Sequence, residues 1–468
     1  MTEVLPMKKS HMRSMTEGSP MKLLIGFMIP LLLGLLFQQF YYMVDTMVVG
    51  KLLGATALAG VGSTGAINFL VLGFCTGICS GFTIPVAQKF GQQDEEGLRR
   101  FVGNIVWLGS LMAIGITVVV SILCRRILHW MNTPAETFDY AFSYIFIIFL
   151  GIPSMMLYNL LSGIIRSLGD SKTPLFFLVF SSLLNVALDI VLILWAKMGV
   201  AGASVATVSS QVVSGLLCLA YMKKRFPILH LHRDDLKPRK FESYMLLSMG
   251  IPMGLQYSIT AIGSTMLQTA VNNLGPAAMA ATTASGRVVG LFACPLDAIG
   301  TAAATYTGQN IGAGKLKRIN SGVNANFIIG MIYCAIAYFI ADFWGQPLMM
   351  LFLDTREVHL AEILELSRQF LMMNMLFFPT LLWVNLYRFT IQGMGFSKIA
   401  VLAGVMELAA RGILAAALVP HWGFTAVSWA NPAAWIMADI FLIPVYFYTM
   451  KLLKRRQKAQ FPEDHRPI

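Results

Sequence analysis

Residues 57–88 contain no Asp, Glu, Lys or Arg, and neither do 101–124, 140–165, 198–222, 319–341 or 369–387. A water-soluble chain cannot keep its surface free of charge over such lengths, whereas a helix crossing a bilayer needs about 20 apolar residues in a row. Residues 243–286 are also charge-free and are broken by Gly275-Pro276, a turn signal. Four further apolar runs carry one or two charges each: 23–50 (Asp45), 173–196 (Asp189), 399–419 (Glu407, Arg411) and 422–450 (Asp439). The run from 278 to 309, with Arg287 and Asp297, completes a set of twelve spans. None alternates polar and apolar residues at every second position, as barrel strands would. The expected fold class is therefore an all-α polytopic membrane protein. Only 12% of the residues are charged, about half the usual share of a soluble domain, which excludes a soluble enzyme.

The first apolar run is too long for the core of a signal peptide, and no small-residue cleavage pattern follows it, so it counts as span one. Residues 1–21 before it are polar and read as a disordered cytoplasmic tail. Lys and Arg set the orientation. With twelve spans both termini lie on one side, and that side collects 27 of the 35 basic residues. Seven lie in 223–240, ten in the two tails, and the rest in loops, including Arg388 and Lys398 after span ten. The other side holds six, and Arg287 and Arg411 lie within spans. Both termini are thus expected in the cytoplasm, with the protein in the cell's inner (plasma) membrane. The net charge of +12 is a topology signal and a lipid-headgroup contact. No aromatic residues interleave with it for stacking bases, so no nucleic-acid partner is expected.

Cys75, Cys79, Cys124, Cys218, Cys294 and Cys334 all fall in apolar spans without His or Cys partners, as core-packing residues do. The seven histidines sit in loops, tails or span ends, which leaves no mid-membrane His relay or metal site. No H-E-x-x-H, G-x-S-x-G or P-loop signature is present. The chain is expected not to be an enzyme and to need no cofactor.

The sequence is a duplication. Ile29-Pro30 reaches Gly54 after 24 residues and Ile251-Pro252 reaches Gly275 after 23. Gln88 and Gly91 follow Gly54 at the same distances at which Gln309 and Gly312 follow Gly275. Pro153, Gly169 and Ser171 recur as Pro379, Gly395 and Ser397, and the offset stays between 221 and 226. Each copy holds six spans, an even number, so both enter the membrane in the same sense: two six-helix bundles related by a parallel pseudo-twofold. The expected domains are an amino-terminal lobe (22–222), a charged cytoplasmic linker (223–243), a carboxyl-terminal lobe (244–450) and a basic cytoplasmic tail (451–468). A carrier that exposes one site to two sides has use for this symmetry.

Charges inside a membrane are costly and therefore point to function. At 1.5 Å per helical residue, Asp45, Asp189 and Thr207 all lie about 12–14 Å below the outer ends of their helices. Asn185 and Asp189 are four residues apart, as are Ala203 and Thr207, and Gln38, Tyr41 and Asp45 share a helix face. Two carboxylates, an amide and a hydroxyl at one level make a hard-oxygen cage suited to a small cation or a shared proton. The second copy lacks the cage, because the repeat offset puts Met266 or Leu267 at the place of Asp45, Arg411 at that of Asn185 and Ala415 at that of Asp189. Glu407 and Arg411, four apart, are expected to neutralise each other. Asp297 and Asp439 have no adjacent partner; either pairs with Arg287 or lines a cleft. Pro30 loosens span one, and Pro252 has the matching place in span seven.

The stretch Pro30…Gln38-Gln39…Asp45-Thr46…Val49-Gly50…Gly54…Ala57-Leu58-Ala59, the repeated Gln88…Gly91 and Gln309…Gly312, and Gly169-Asp170-Ser171-Lys172-Thr173-Pro174 resemble the multidrug and toxic compound extrusion (MATE) family. The resemblance runs from about residue 20 to 450. It implies a monomeric exporter of amphipathic, often cationic drugs and toxins, driven by inward Na⁺ or H⁺ through alternating access. It further implies a cation site of Asp45, Asn185, Asp189, the Ala203 carbonyl and Thr207, with Na⁺ as one candidate occupant, and a bending point at Pro30. Gln38, Tyr41, Gln256 and Asp297 are candidates for the substrate cleft. The norfloxacin-type branch of the family also has carboxylates on spans seven and ten, and this sequence has none there, so the resemblance is to branches coupled through the amino-terminal lobe. Two rivals stand beside this reading. A lipid-linked or polysaccharide flippase of the same superfamily would have a more basic cleft, and a passive channel would move nothing against a gradient.

Overall fold

A computed structural model of the protein describes residues 13–353 and 359–460. The expected tail residues 1–12 and 461–468, and the loop residue Arg356, lie outside the described residues. Those described are almost entirely helical. In chain order the helices are α1 (Pro20–Leu53), α2 (Ala55–Ser63), α3 (Gly65–Gly91), α4 (Glu95–Trp130), α5 (Ala135–Leu150), α6 (Ile152–Ser167), α7 (Lys172–Ile190) and α8 (Val200–Arg225). The second copy follows as α9 (Lys240–Asn272), α10 (Pro276–Gly312), α11 (Leu316–Met350), α12 (Leu360–Leu376), α13 (Phe378–Gly393), α14 (Ser397–Ile413), α15 (Val419–Trp422) and α16 (Phe424–Gln460).

Among the described residues, ten helices are long and apolar enough to cross a membrane alone. Two pairs, α5 with α6 and α12 with α13, make one bent span each, at 46° and 48°, for a total of twelve. The charge-free runs 140–165 and 369–387 therefore do not form straight helices. The cause is local: Pro153 and Pro379 sit in the first turns of α6 and α13, where proline is accepted at a helix start but cannot continue the preceding one.

The chain divides into two compact units. One comprises Ile29–Gly254 with the described residues up to Glu17, and the other Gly18–Met28 with the chain from Leu255 onward. Backbone geometry repeats between the copies. Gly54 and Gly275, 221 residues apart, open α2 and α10 at φ 87° and 101°. Gly169 and Gly395 have φ of 89° and 94°, and Gly199 and Gly423 have 59° and 55°, a region that admits glycine readily and other residues at a cost. Each copy also has one π-helical turn, at Val191–Trp195 and Leu414–Leu418, a rare element that marks functional or strained positions. Counted back from these turns, Asp189 matches Gly412 and Asn185 matches Leu408, so the register within α14 is about three residues from the offset read off the sequence.

The core of unit one holds Cys75, Ile78 and Phe82 of α3 together with Ile105, Phe149 and Ile164. Exposed apolar side chains such as Ile122, Phe176 and Leu183 give this unit a lipid-compatible surface. Within the same unit α3 meets the first half of α9 through glycines four apart on both helices. A Cβ on Gly77 would lie 2.4 Å from the Met253 carbonyl oxygen, and one on Gly81 2.6 Å from Gly250 Cα. This is the small-residue contact by which membrane helices approach without side chains between them. Gly81→Ala is therefore expected to destabilise the protein by about 1–3 kcal/mol. Gly115→Ala, whose Cβ would meet nothing within 4 Å, should instead add about 0.5–1 kcal/mol through helix propensity. Thermal unfolding of the two purified variants checks the opposite signs.

Residues 223–243, read from sequence as a charged linker, are fastened to unit one. Asn104 Oδ1 accepts from Arg239 N at 3.0 Å and from Ser243 Oγ at 3.3 Å. Asp235 is buried, accepts from His232 N at 2.9 Å and lies 3.7 Å from Arg99 Nε. Ahead of α1, Arg13 N donates to Leu168 O at 3.1 Å and Met15 is buried, so this part of the expected tail is packed. Just ahead of α7, Asp170 Oδ1 accepts from Lys172 N and Thr173 N, both at 3.0 Å, which satisfies two of the free N–H groups of a helix start.

Candidate cation site

Three helices of unit one carry the five residues singled out for cation binding. Asp45 lies on α1, Asn185 and Asp189 one turn apart on α7, and Ala203 and Thr207 one turn apart on α8. Asp45 is 7% exposed, Asn185 1%, and Asp189 and Ala203 0%, so all four are removed from solvent. The structure brings the five together.

Thr207 is the hub. Its single hydroxyl proton goes to the Ala203 carbonyl oxygen at 3.1 Å. Its oxygen then accepts from Asn185 Nδ2 at 3.3 Å and stands 3.2 Å from the Tyr41 hydroxyl, which must donate because the threonine has no second proton. These bonds turn the Asn185 amide so that Oδ1 points away from Thr207. That oxygen has no hydrogen-bond partner among the described residues. The Asp45 and Asp189 carboxyl groups are within hydrogen-bonding reach of each other, and no other hydrogen bond reaches Asp45 Oδ1, Asp189 Oδ1 or Asp189 Oδ2 among the described residues. The Asp45 and Asp189 carboxylates are each other's charged neighbours. Two carboxylates in a low-dielectric setting repel strongly unless a positive ion lies between them or one holds a proton. The arrangement offers only oxygen donors, the ligand type preferred by hard cations.

Of the proposed cleft residues, Tyr41 joins this network through Thr207, whereas Gln38 does not: its Nε2 donates to Tyr42 Oη at 3.2 Å. Pro30 is buried within α1, which runs through it without a break. Its ring removes one backbone hydrogen bond there.

In unit two, Gln256 on α9 accepts from Gln392 Nε2 on α13 at 2.7 Å and is buried. Asp297 on α10 is exposed and accepts from Asn385 Nδ2 at 3.1 Å. Of the partners open to Asp297, the amide is the one it has; among the described residues no ion pair joins it to Arg287. Glu407 and Arg411 do approach, at 3.5 Å, but Glu407 also forms an ion pair with Arg388. That corrects the placing of Arg388 in a loop after span ten. The bend at Phe377 lets α13 continue to Gly393, which puts Arg388 five residues inside the helix end, about 7.5 Å deep. Its position seven residues before the repeat glycine Gly395 was the available sequence signal. Asp439 on α16 is buried, and neither of its carboxylate oxygens has a partner among the described residues.

The MatE family model matches residues 30–191 and 252–416, one match in each copy and more than half of the chain. The chain is 32% identical over 342 residues to the probable multidrug resistance protein YoeA of Bacillus subtilis, covering 71% of this chain and 73% of that protein. It is 33% identical over 308 residues to the probable multidrug resistance protein YpnP of the same organism, covering 65% and 68%. Among solved structures, a MATE crystallised in complex with MaL6 superposes with a TM-score of 0.87 at 21% identity, over 96% of this chain and 100% of that one. Two copies of one helical plan, each matched by the same family model, make this chain a member of the MATE family of membrane transporters.

Proposed function

We propose that the protein is a drug-efflux antiporter in which inward movement of Na⁺ or H⁺ drives export of amphipathic, often cationic compounds. One observation carries the reading: the buried Asp45 and Asp189 carboxyl groups face each other, and among the described residues no donor from a third residue reaches Asp45 Oδ1, Asp189 Oδ1, Asp189 Oδ2 or Asn185 Oδ1. Relatives named as multidrug resistance or multidrug export proteins support the substrate class.

In this reading a cation arriving from outside is shared by the Asp45–Asp189 pair, cutting its charge from two to one, with the Asn185 amide oxygen and the Ala203 carbonyl as neutral ligands. The shared cation relieves the repulsion between α1 and α7, and α1 shifts at Pro30, where the missing backbone bond makes bending cheap. Drug affinity falls in the loaded state and the drug leaves outward; loss of the cation to the cytoplasm resets the carrier. Cation and drug then weaken each other's binding by the same factor. The monomer suffices for this cycle, with both termini in the cytoplasm and the chain in the inner membrane.

Proteoliposomes loaded with a fluorescent cationic dye test the proposal, with a Na⁺ gradient or an H⁺ gradient imposed alone. Dye movement against its own gradient under one of the two is the expected result. Purely downhill movement would identify a channel, and no dye movement under either would turn the reading toward a flippase.

A further inference from the structure

Unit two buries a second group of charges, where α13, α14 and α16 pack together. Glu407 is paired with Arg388 and lies 3.5 Å from Arg411 Nη1. Arg388, Glu407 and Arg411 are 5%, 4% and 5% exposed, so two cations face one anion, a surplus of one positive charge in an apolar surrounding. Asp439 of α16 is 5% exposed as well. The charged groups whose fields reach it are Arg388 from α13 and Glu407 from α14, and Tyr387 of α13 is the hydroxyl beside it. Among the described residues both Asp439 oxygens are without a hydrogen bond, and so are Arg388 Nε and Arg411 Nη1. An ionised carboxylate left bare at this depth costs several kcal/mol, yet the guanidinium of Arg388, whose field reaches Asp439, has an unused donor in Nε. An acid and a guanidinium in each other's field but unbonded describe an ion pair in its open state.

We propose that Asp439 is a second proton-binding site: it holds a proton while the pair is open, as in this structure, and closes onto Arg388 when the proton leaves. The charge bookkeeping supports two stable states. With Asp439 neutral the group carries one net positive charge; with Asp439 ionised it carries none, and the carboxylate gains an N–H donor that is otherwise idle. The proton reaches the acid past Tyr387, whose hydroxyl neighbours Asp439 and which lines a cavity of about 630 Å³ together with Tyr446, Met450, Lys451 and Lys454. This site uses neither the residues nor the helices of the Asp45–Asp189 cage and stands whether or not that cage couples transport.

Infrared difference spectroscopy of the full-length protein in lipid nanodiscs, recorded as the pH is stepped, tests the inference. The background is the Asp45→Asn/Asp189→Asn variant, so that the cage carboxyls contribute nothing, and the band of Asp439 is the difference between spectra taken with and without Asp439→Asn. The expected result is a carboxylic acid C=O component that grows on acidification while a carboxylate component shrinks, both present in the parent and missing from the spectrum after Asp439→Asn. The single variant Asp439→Asn in the otherwise native chain gives the second reading and should lose the same band. Identical pH-difference spectra with and without Asp439→Asn in both backgrounds overturn the proposal.

Discussion

Asp189→Asn is expected to abolish gradient-driven efflux while the protein remains folded and in the membrane. The neutral amide keeps the shape of the side chain but removes half of the charge that attracts a cation, and its NH₂ group puts a donor where the cation needs an acceptor. Ligand coupling of this kind amounts to about 1–3 kcal/mol, or about 5–150-fold in affinity, and all of it should vanish. Asp45→Asn should do the same, and the double variant should be no worse than either single one, because the two carboxylates act on one ion and their effects are not additive. Stability should move the other way. Apart from each other, three of the four carboxylate oxygens have no partner among the described residues, so removing one charge relieves repulsion, and the amide can donate to the remaining carboxylate. Dye efflux from cells, with membrane expression and thermal midpoint measured in parallel, separates the outcomes. Full efflux in both single variants would remove the coupling role, and a collapse of expression would assign the pair to structure.

Glu407→Gln is expected to have the largest effect on folding. The glutamate is the one carboxylate in ion-pair contact with Arg388 and Arg411 among the described residues, and all three are buried. Removing one member of a buried ion pair leaves charge without compensation, at a cost of about 3–5 kcal/mol. In this case two guanidinium groups are stranded by one substitution. The thermal midpoint and the yield of monodisperse protein should both fall sharply, and Glu407→Gln combined with Arg388→Met should recover part of the loss because the surplus charge is smaller. An unchanged midpoint in Glu407→Gln would show that Asp439 takes over as the counter-ion.

The membrane class, the twelve spans and the two copies were all legible in the chain itself. Each depends on hydropathy and on spacing along one segment, and a helix converts such spacing into position in a fixed way. The level of Asp45, Asp189 and Thr207 followed from the same arithmetic, as did the shared faces of Asn185 with Asp189 and of Ala203 with Thr207. Partnerships between helices did not follow, because they depend on how far each helix is rotated and bent, and single residues control that. Pro379 and the bend at Phe377 carry Arg388 inward to Glu407. Gln38 turns to Tyr42 instead of the cage, and Asp297 takes Asn385 in place of Arg287. Sequence alone determined which segments cross the membrane and the level of Asp45, Asp189 and Thr207 along their helices; tertiary structure carried Arg388 inside and decided which charges meet, because the free energy of a buried charge is set by its neighbours across helices and not by its neighbours along the chain.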